Sequence, residues 1–303
     1  YDIKDIAKAK FIIVTIGTPV DEHLTPKTRA FLEFFEGIRE YLNADQIIIV
    51  RSTVYPNTCQ QLLRMLGNGR QWHIAYCPER ITEGYAIQEL KELPQNVAGL
   101  SEHAINSSAE LFSIISPQII RTAMGEAELV KLFSNAWRYI HFALANQFYM
   151  ISYRFGVDYE RVRWAMKEGY ERAATLPTAG FSAGPCLLKD TMQLAAFDSN
   201  NFLLGHAAMM INEGLPNFIV EDLRRRYDLQ KTRIGILGMA FKADIDDIRD
   251  ALSYKLGKIL RFHGAQVYYT DEYVKNPTFS PKEKLIKQCD VIIVGVPHSA
   301  YKG

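Results

Sequence analysis

Residues 46–56 read QIIIVRSTVYP, and four β-branched residues stand in a row at 47–50 with no polar interruption. A strand with one wet face would alternate apolar and polar residues, whereas an unbroken Ile/Val run needs apolar cover on both faces. That is the pattern of a parallel strand inside an α/β sheet. The run stops at Arg51, and two hydroxyls, Ser52 and Thr53, follow just beyond its end. FIIVTIGTP (11–19) repeats the arrangement, with Gly17, Thr18 and Pro19 closing the strand, and HIAYCPER (73–80) supplies a third run. VAGL (97–100) and QIIRT (118–122) are weaker strand candidates.

From residue 126 the texture turns helical. In EAELVKLFSNAWRYIHFALANQFYMISYRFG, apolar residues recur at 129, 132, 133, 136, 137, 140, 144 and 148, the spacing of one helix face. A second helical stretch begins near Lys189 and runs through LAAF and HAAMMINEG to the charged DLRRRYDL. Strand texture returns at TRIGILGMAFKAD (232–244), GAQVYYTDE (264–272) and DVIIVGVP (290–297), with DIRDALSYKLGKILRFHG as the helix between the first two. The expected class is α/β: two doubly wound domains joined by a central helical domain, with boundaries at 1–125, 126–228 and 229–303. Both α/β segments read as incomplete, since a free-standing doubly wound sheet carries more strands on each side.

Composition excludes several functions. Of 303 residues, 48% are hydrophobic and 23% charged, and the net charge of +1 comes from interleaved signs. No basic footprint for nucleic acid and no polybasic membrane patch stands out, and the apolar runs are too short to span a bilayer. Four cysteines, at 59, 77, 186 and 289, show no zinc spacing, so no metal site is expected and a reducing, cytoplasmic compartment is.

Each candidate motif has a plainer alternative. The hydroxyls of GTP and RSTVYP stand where doubly wound sheets bind ligands, although Ser and Thr also serve turns and caps. CPERITEG (77–84) mounts Glu79, Arg80 and Glu83 on a loop after a strand, and one helical turn would put both carboxylates on one side; a surface charge cluster is the alternative. Lys131 and Asn135 stand i, i+4 on the long helix as a polar stripe, facing either solvent or another part of the protein. GMAFKA (238–243) is a strand-to-helix turn with small residues in the three glycine positions of a phosphate loop, or a close-packed turn and no more. Cys186, in GFSAGPCLLKD (180–190), is a buried apolar thiol by default. If a helix opens there, its N-terminal N–H groups and Lys189 would favour a thiolate instead.

Taken in order, GTP, STVYP, CPERITEG, AELVKLFSNAW, GFSAGPCLLKD and GILGMAFKADIDDIR resemble the UDP-glucose/GDP-mannose dehydrogenase family across essentially the whole chain. The resemblance implies two Rossmann-like domains flanking a helical dimerisation domain, with NAD as cofactor and a UDP-sugar as substrate. It implies that a C6 alcohol is oxidised to a uronic acid for surface polysaccharide, with Cys186 as nucleophile through a thiohemiacetal and a thioester. Lys131 and Asn135 match groups that stabilise an oxyanion or hold water, and Glu79 matches the general acid/base. Thr53 and Asp190 match positioning groups. Arg80, Glu83, Lys242, Arg249 and Arg172 match substrate-side positions. Gly17, Thr18, Pro19, Ser52, Thr53 and Glu83 match cofactor-side positions. The long apolar helix at 127–152 is expected at a homodimer interface; a core role within one chain is the alternative.

Two departures qualify the match. Arg80–Ile81 follows Pro-Glu where the family commonly has Phe-Leu, and this resembles the branch acting on 2-acetamido sugars. The family's N-terminal glycine fingerprint is absent from this sequence, so the chain as given is expected to bind NAD poorly and to turn over weakly or not at all. A non-catalytic nucleotide-sugar-binding or dimerisation module and a two-electron hydroxy-acid dehydrogenase are the competing readings; the latter needs no cysteine.

Overall fold

The fold was analysed in a computed structural model that describes residues 2–18, 20–21, 26–67, 69–182 and 184–301. By internal contacts the chain divides into two compact units. One comprises Tyr1–Asn135 with Lys189–Phe202, the other Ala136–Leu188 with Leu203–Gly303.

The first unit is built on a five-stranded sheet: β1 (Phe11–Val14), β2 (Ile47–Val50), β3 (His73–Tyr76), β4 (Gln95–Gly99) and β5 (Ile119–Arg121), in that spatial order. Helices α1 (Thr28–Ile38), α2 (Thr58–Leu66), α3 (Ala86–Glu92) and α4 (Glu102–Ser113) connect the strands. The β2 run behaves as its composition demands. Ile48 and Val50 enter one core with Phe31, Phe35 and Leu62. Ile47 and Ile49 enter another with Val97, Ala104 and Phe112 on the opposite face. All four are wholly buried, and each such side chain contributes roughly 1.5–3 kcal/mol of apolar burial.

One strand departs from the expected all-parallel sheet. β1, β2 and β3 are mutually parallel, but β4 runs antiparallel to β3, with Tyr76 opposite Ala98. An antiparallel neighbour needs no crossover. The chain from 77 to 94 therefore stays at the carboxyl end of β1–β3 instead of crossing the sheet, and β4 begins at that end with Gln95. β5 then pairs in parallel with β4.

Helix α5 (Met124–Phe155) is 32 residues long, about 48 Å at 1.5 Å per residue, and α7 (Leu187–Phe197) follows α6 (Tyr159–Lys167) and an irregular stretch. The second helical stretch is two helices, α7 and α8 (Leu203–Arg226), broken between them. In the first unit, Glu128 of α5 accepts the N–H groups of Asn57 (2.6 Å) and Cys59 (3.2 Å) at the start of α2. A carboxylate there meets both orphan amides and the positive end of the helix.

In the second unit, β6 (Arg233–Leu237) lies between β7 (Gln266–Thr270) and β8 (Val291–Val294), all parallel. α9 (Leu252–Phe262) joins β6 to β7 and α10 (Lys282–Gln288) joins β7 to β8. The helix expected from residue 247 starts only at 252; the segment before it is irregular. Within this unit α5 and α8 are keyed by a buried amide pair, Asn146 Nδ2 donating to Asn212 Oδ1 at 2.9 Å. Asn212 in turn donates to the Tyr139 carbonyl. No described helix is long and apolar enough to cross a membrane.

Candidate active site

The carboxyl ends of β1 and β2 are laced together by the hydroxyls that the motifs supplied. Thr18 Oγ1 donates to the Thr53 carbonyl, and Ser52 Oγ donates to the Ile16 carbonyl at 2.7 Å. Gly17 is open, with nothing within 4 Å of where a Cβ would stand. Pro19 lies outside the described residues. Lys189, from the start of α7, reaches the same place and donates to the Thr18 carbonyl and hydroxyl at 3.3 Å each. Open strand ends, hydroxyls and a cation form a surface that suits a nucleotide cofactor.

The loop after β3 does not form the helical turn expected to align Glu79 with Glu83; it is irregular through residue 82. Glu79 is instead fixed individually. Its Oε1 accepts the N–H groups of Arg80 (2.7 Å) and Ile81 (2.9 Å), and its Oε2 pairs with Arg51 Nη2. Arg51 is buried, stacks 4.6 Å from the Phe112 ring centroid, and donates through Nη1 and Nη2 to Gln95 Oε1 at 3.2 Å each. Burial lowers the guanidinium's pKa from its ordinary value. The Arg80 guanidinium bonds the Pro94 carbonyl and so braces the loop. Glu83 is exposed in the turn that follows.

On α5 the polar stripe faces inward. Lys131 and Asn135 are buried, while Phe133 and Trp137 on the intervening face are 53% and 62% exposed. Asn135 Nδ2 donates to Asp190 Oδ2 at 2.5 Å, and Lys189 Nζ stands 3.0 Å from Asp190 Oδ1. Asp190 is only 1% exposed, so its charge is held by these partners and by its place in the first turn of α7. Arg138, three residues beyond Asn135, is exposed.

In the second unit, the approach to Cys186 is anchored. The Gly180 N–H donates to Asn146 Oδ1 at 2.8 Å, and Phe181 packs into the core around β6. Gly184 takes φ +101°, and a Cβ there would meet the Phe241 ring at 2.7 Å. Cys186 is exposed and immediately precedes α7, which removes the buried-thiol alternative. The three other thiols are less accessible: Cys59 and Cys77 are buried, Cys77 pushed up to about 12 by desolvation, and Cys289 is half-buried. Cys186 is thus the accessible thiol of the four, and it stands at a helix N-terminus.

The GMAFKA turn is not an open phosphate loop. Gly238 supplies φ +88° at the end of β6, but the next two N–H groups, of Met239 (2.6 Å) and Ala240 (3.1 Å), donate to Asp271 Oδ2. Asp271 follows β7, has a wholly buried side chain, and also takes a bond from His298 Nε2 at 3.0 Å. His298 Nδ1 accepts the Asp244 N–H, which assigns the ring proton to Nε2. Lys242 is half-buried in the loop beyond, and Arg249 is exposed and paired with Asp247. Arg172 is exposed in a short 3₁₀ turn, its guanidinium 5.9 Å from the Tyr170 ring centroid.

Arg51, Gln95 and Glu128 were not legible as site-building residues. Arg51 stands in RSTVYP, where a charge ending a buried strand is the available signal. Gln95 and Glu128 carried none, because their partners lie 44 and about 70 residues away.

Comparison with known proteins shows the family. The UDP-glucose/GDP-mannose dehydrogenase family matches in three pieces: its NAD binding domain over residues 1–116, its central domain over 125–213 and its UDP binding domain over 235–303. A UDP-N-acetyl-D-mannosamine dehydrogenase of Pyrococcus horikoshii is 28% identical over 99% of this chain and 74% of its own length. Protein CapL of Staphylococcus aureus is 25% identical over 98% of this chain and 76% of its own. The structure of UDP-D-ManNAc dehydrogenase from P. horikoshii superposes with a TM-score of 0.90 at 27% identity, covering 99% of this chain and 74% of that one. The chain belongs to the UDP-glucose/GDP-mannose dehydrogenase family of NAD-dependent nucleotide-sugar dehydrogenases.

Proposed function

We propose that this protein oxidises the C6 alcohol of UDP-N-acetyl-D-mannosamine to the uronic acid, through a covalent intermediate on Cys186. The observation that carries this reading is a buried polar set, Lys131, Asn135 and Asp190, in the helical turns that accompany an exposed cysteine. The P. horikoshii relative and the Arg80–Ile81 pair support the 2-acetamido sugar.

NAD, when bound, takes up the hydrides of the two oxidations; Gly17, Thr18, Pro19, Ser52, Thr53 and Glu83 are the residues proposed to hold it. Cys186 thiolate adds to the C6 aldehyde carbon and keeps it as a thiohemiacetal, whose oxidation leaves a thioester. Lys131 donates to the oxyanion that forms at each tetrahedral stage, and Asn135, oriented by Asp190, holds the water. Glu79 takes a proton from that water, and Thr53 orients it. Arg80, Glu83, Lys242, Arg249 and Arg172 are proposed to receive the diphosphate and sugar oxygens, Arg by its bidentate fork.

The protein is proposed to act as a homodimer through its central helices. Trp137, Leu144, Leu203, Leu204 and Met210 are each at least 43% exposed, and a second copy packed on these helices would take that apolar surface out of water. Its four free thiols suit a reducing, cytoplasmic setting. The test is the stoichiometry of NADH formed by the full-length protein across a panel of UDP-sugars. Two NADH per UDP-N-acetylmannosamine, abolished by alkylating Cys186, are expected. One NADH per sugar, or full activity after alkylation, would overturn the covalent route. Light scattering on Trp137→Glu and Leu203→Glu, expected as monomers, tests the dimer.

A further inference from the structure

The mechanism above uses Glu79 and leaves Arg51 without a part, yet Arg51 is the most heavily engaged charge at the carboxyl edge of the first sheet. It ends β2 and is 8% exposed, while the Glu79 side chain is 25% exposed and so reaches water. A buried guanidinium costs several kcal/mol in desolvation, and a neutral residue could have closed this strand. What the arginine supplies is geometry. Phe112 lies against its plane and Gln95 Oε1 fixes its fork, which leaves Nη2 directed at Glu79 Oε2.

The acceptor count shows the consequence. A carboxylate has about four lone-pair sites. Two on Oε1 are filled by the N–H groups of Arg80 and Ile81, and one on Oε2 by Arg51. Among the described residues one site remains, on Oε2. The other titratable groups nearby are otherwise engaged or neutral: Cys77 is pushed up to about 12, Arg80 bonds the Pro94 carbonyl, and Glu89 of α3 accepts the Thr82 N–H.

We propose that Arg51 is a positioning residue for thioester hydrolysis, orienting Glu79 so that the one open lone pair of Oε2 receives the proton of the attacking water. The water oxygen bonds to the thioester carbon, its proton passes to Oε2, and the carbon–sulfur bond breaks to return the Cys186 thiolate and release the acid. Arg51 stays protonated throughout and touches no reacting atom. The inference rests on the assignment of Glu79 as base.

The test uses the full-length protein with UDP-N-acetylmannosamine and NAD, reading the first-turnover burst of NADH, steady-state turnover and the intact mass of the protein. Arg51→Met is expected to keep the burst, lose about 10²-fold in steady state, and accumulate an acyl adduct on Cys186. The acidic limb of its kcat profile should move to higher pH, because the counter-charge that favours the Glu79 carboxylate is gone. Arg51→Lys keeps the charge without the fork; it should recover the acidic limb, recover turnover in part, and still carry a detectable adduct. It stands in if Arg51→Met fails to fold. Glu79→Gln is run alongside. An adduct in Glu79→Gln but in neither folded Arg51 variant sinks the positioning role alone. No adduct in Glu79→Gln sinks the base assignment and this inference with it.

Discussion

The two sheets end in similar sequence and do opposite things there. β2 and β6 are both apolar runs that stop at a turn of small and polar residues. Beyond β2, and beyond β1 beside it, the side chains lead outward, from Arg51 to Glu79 and from Thr18 to Lys189. Beyond β6 they close inward: Asp271 takes the two N–H groups a phosphate would need, and His298 holds Asp271 from behind. A strand-and-turn motif therefore does not define an anion site. What matters is whether a side chain from elsewhere in the fold has already filled it.

Substitutions should separate the proposed chemistry from the closed turn after β6. Cys186→Ala is expected to abolish acid formation, on the order of 10³-fold or more, at unchanged thermal midpoint; turnover within tenfold of the parent would refute the nucleophile. Glu79→Gln should lower steady-state turnover roughly 10²–10⁴-fold with little loss of stability, checked by kinetics and thermal unfolding together. Asp271→Ala should do the reverse. It strands four backbone N–H groups, those of Met239, Ala240, Tyr273 and Val274, and the His298 ring, at a cost of about 2–4 kcal/mol. A midpoint matching the parent would show that the turn does not depend on it.

Smaller effects fall on the approach to Cys186 and on acid stability. Gly184→Ala forces a Cβ against Phe241 at a left-handed backbone position, which should cost about 1–3 kcal/mol in thermal unfolding. The weakest prediction concerns pH. In the second unit Asp290 is held down to about 2, first by its bond from the Arg233 side chain. Asp244 is lowered too, first by the Ser299 N–H. Burial alone would raise Asp271, but four backbone N–H groups more than offset it and its pKa is lowered as well. A depressed carboxylate stabilises the fold above its unfolded pKa, and that contribution disappears as pH falls through the folded value. In the first unit Glu128 is raised by burial, so its contribution has the opposite sign and grows as pH falls. Hydrogen exchange from about pH 4 to about pH 2 should therefore loosen β6 before α2; the reverse order would contradict these assignments.

Much of the fold was readable because burial leaves a period. The unbroken run at 47–50 announced a strand covered on both faces, and 129–148 announced a helix with one apolar face. The candidate site was partly readable too: Cys186 stood out by its loop, and Lys131 and Asn135 by their spacing. Their orientation was not, since a polar stripe on a helix faces solvent or a site with the same pattern. Here the answer is inward, because Asp190 of α7 meets Asn135.

The amino-acid order by itself determined the elements, the two-sided burial of the first sheet and the chemistry within reach, since these depend on residue type and local spacing. Strand direction and partner choice belong to the tertiary structure. An apolar run of five residues carries no mark of which way it points. The antiparallel entry of β4 alone keeps the Glu79 loop at the carboxyl edge and brings Gln95 to Arg51 across 44 residues. Asp271 was likewise an ordinary acid after a strand until folding set it beneath Met239. Pairings of that separation rest on chain geometry, which no local pattern encodes.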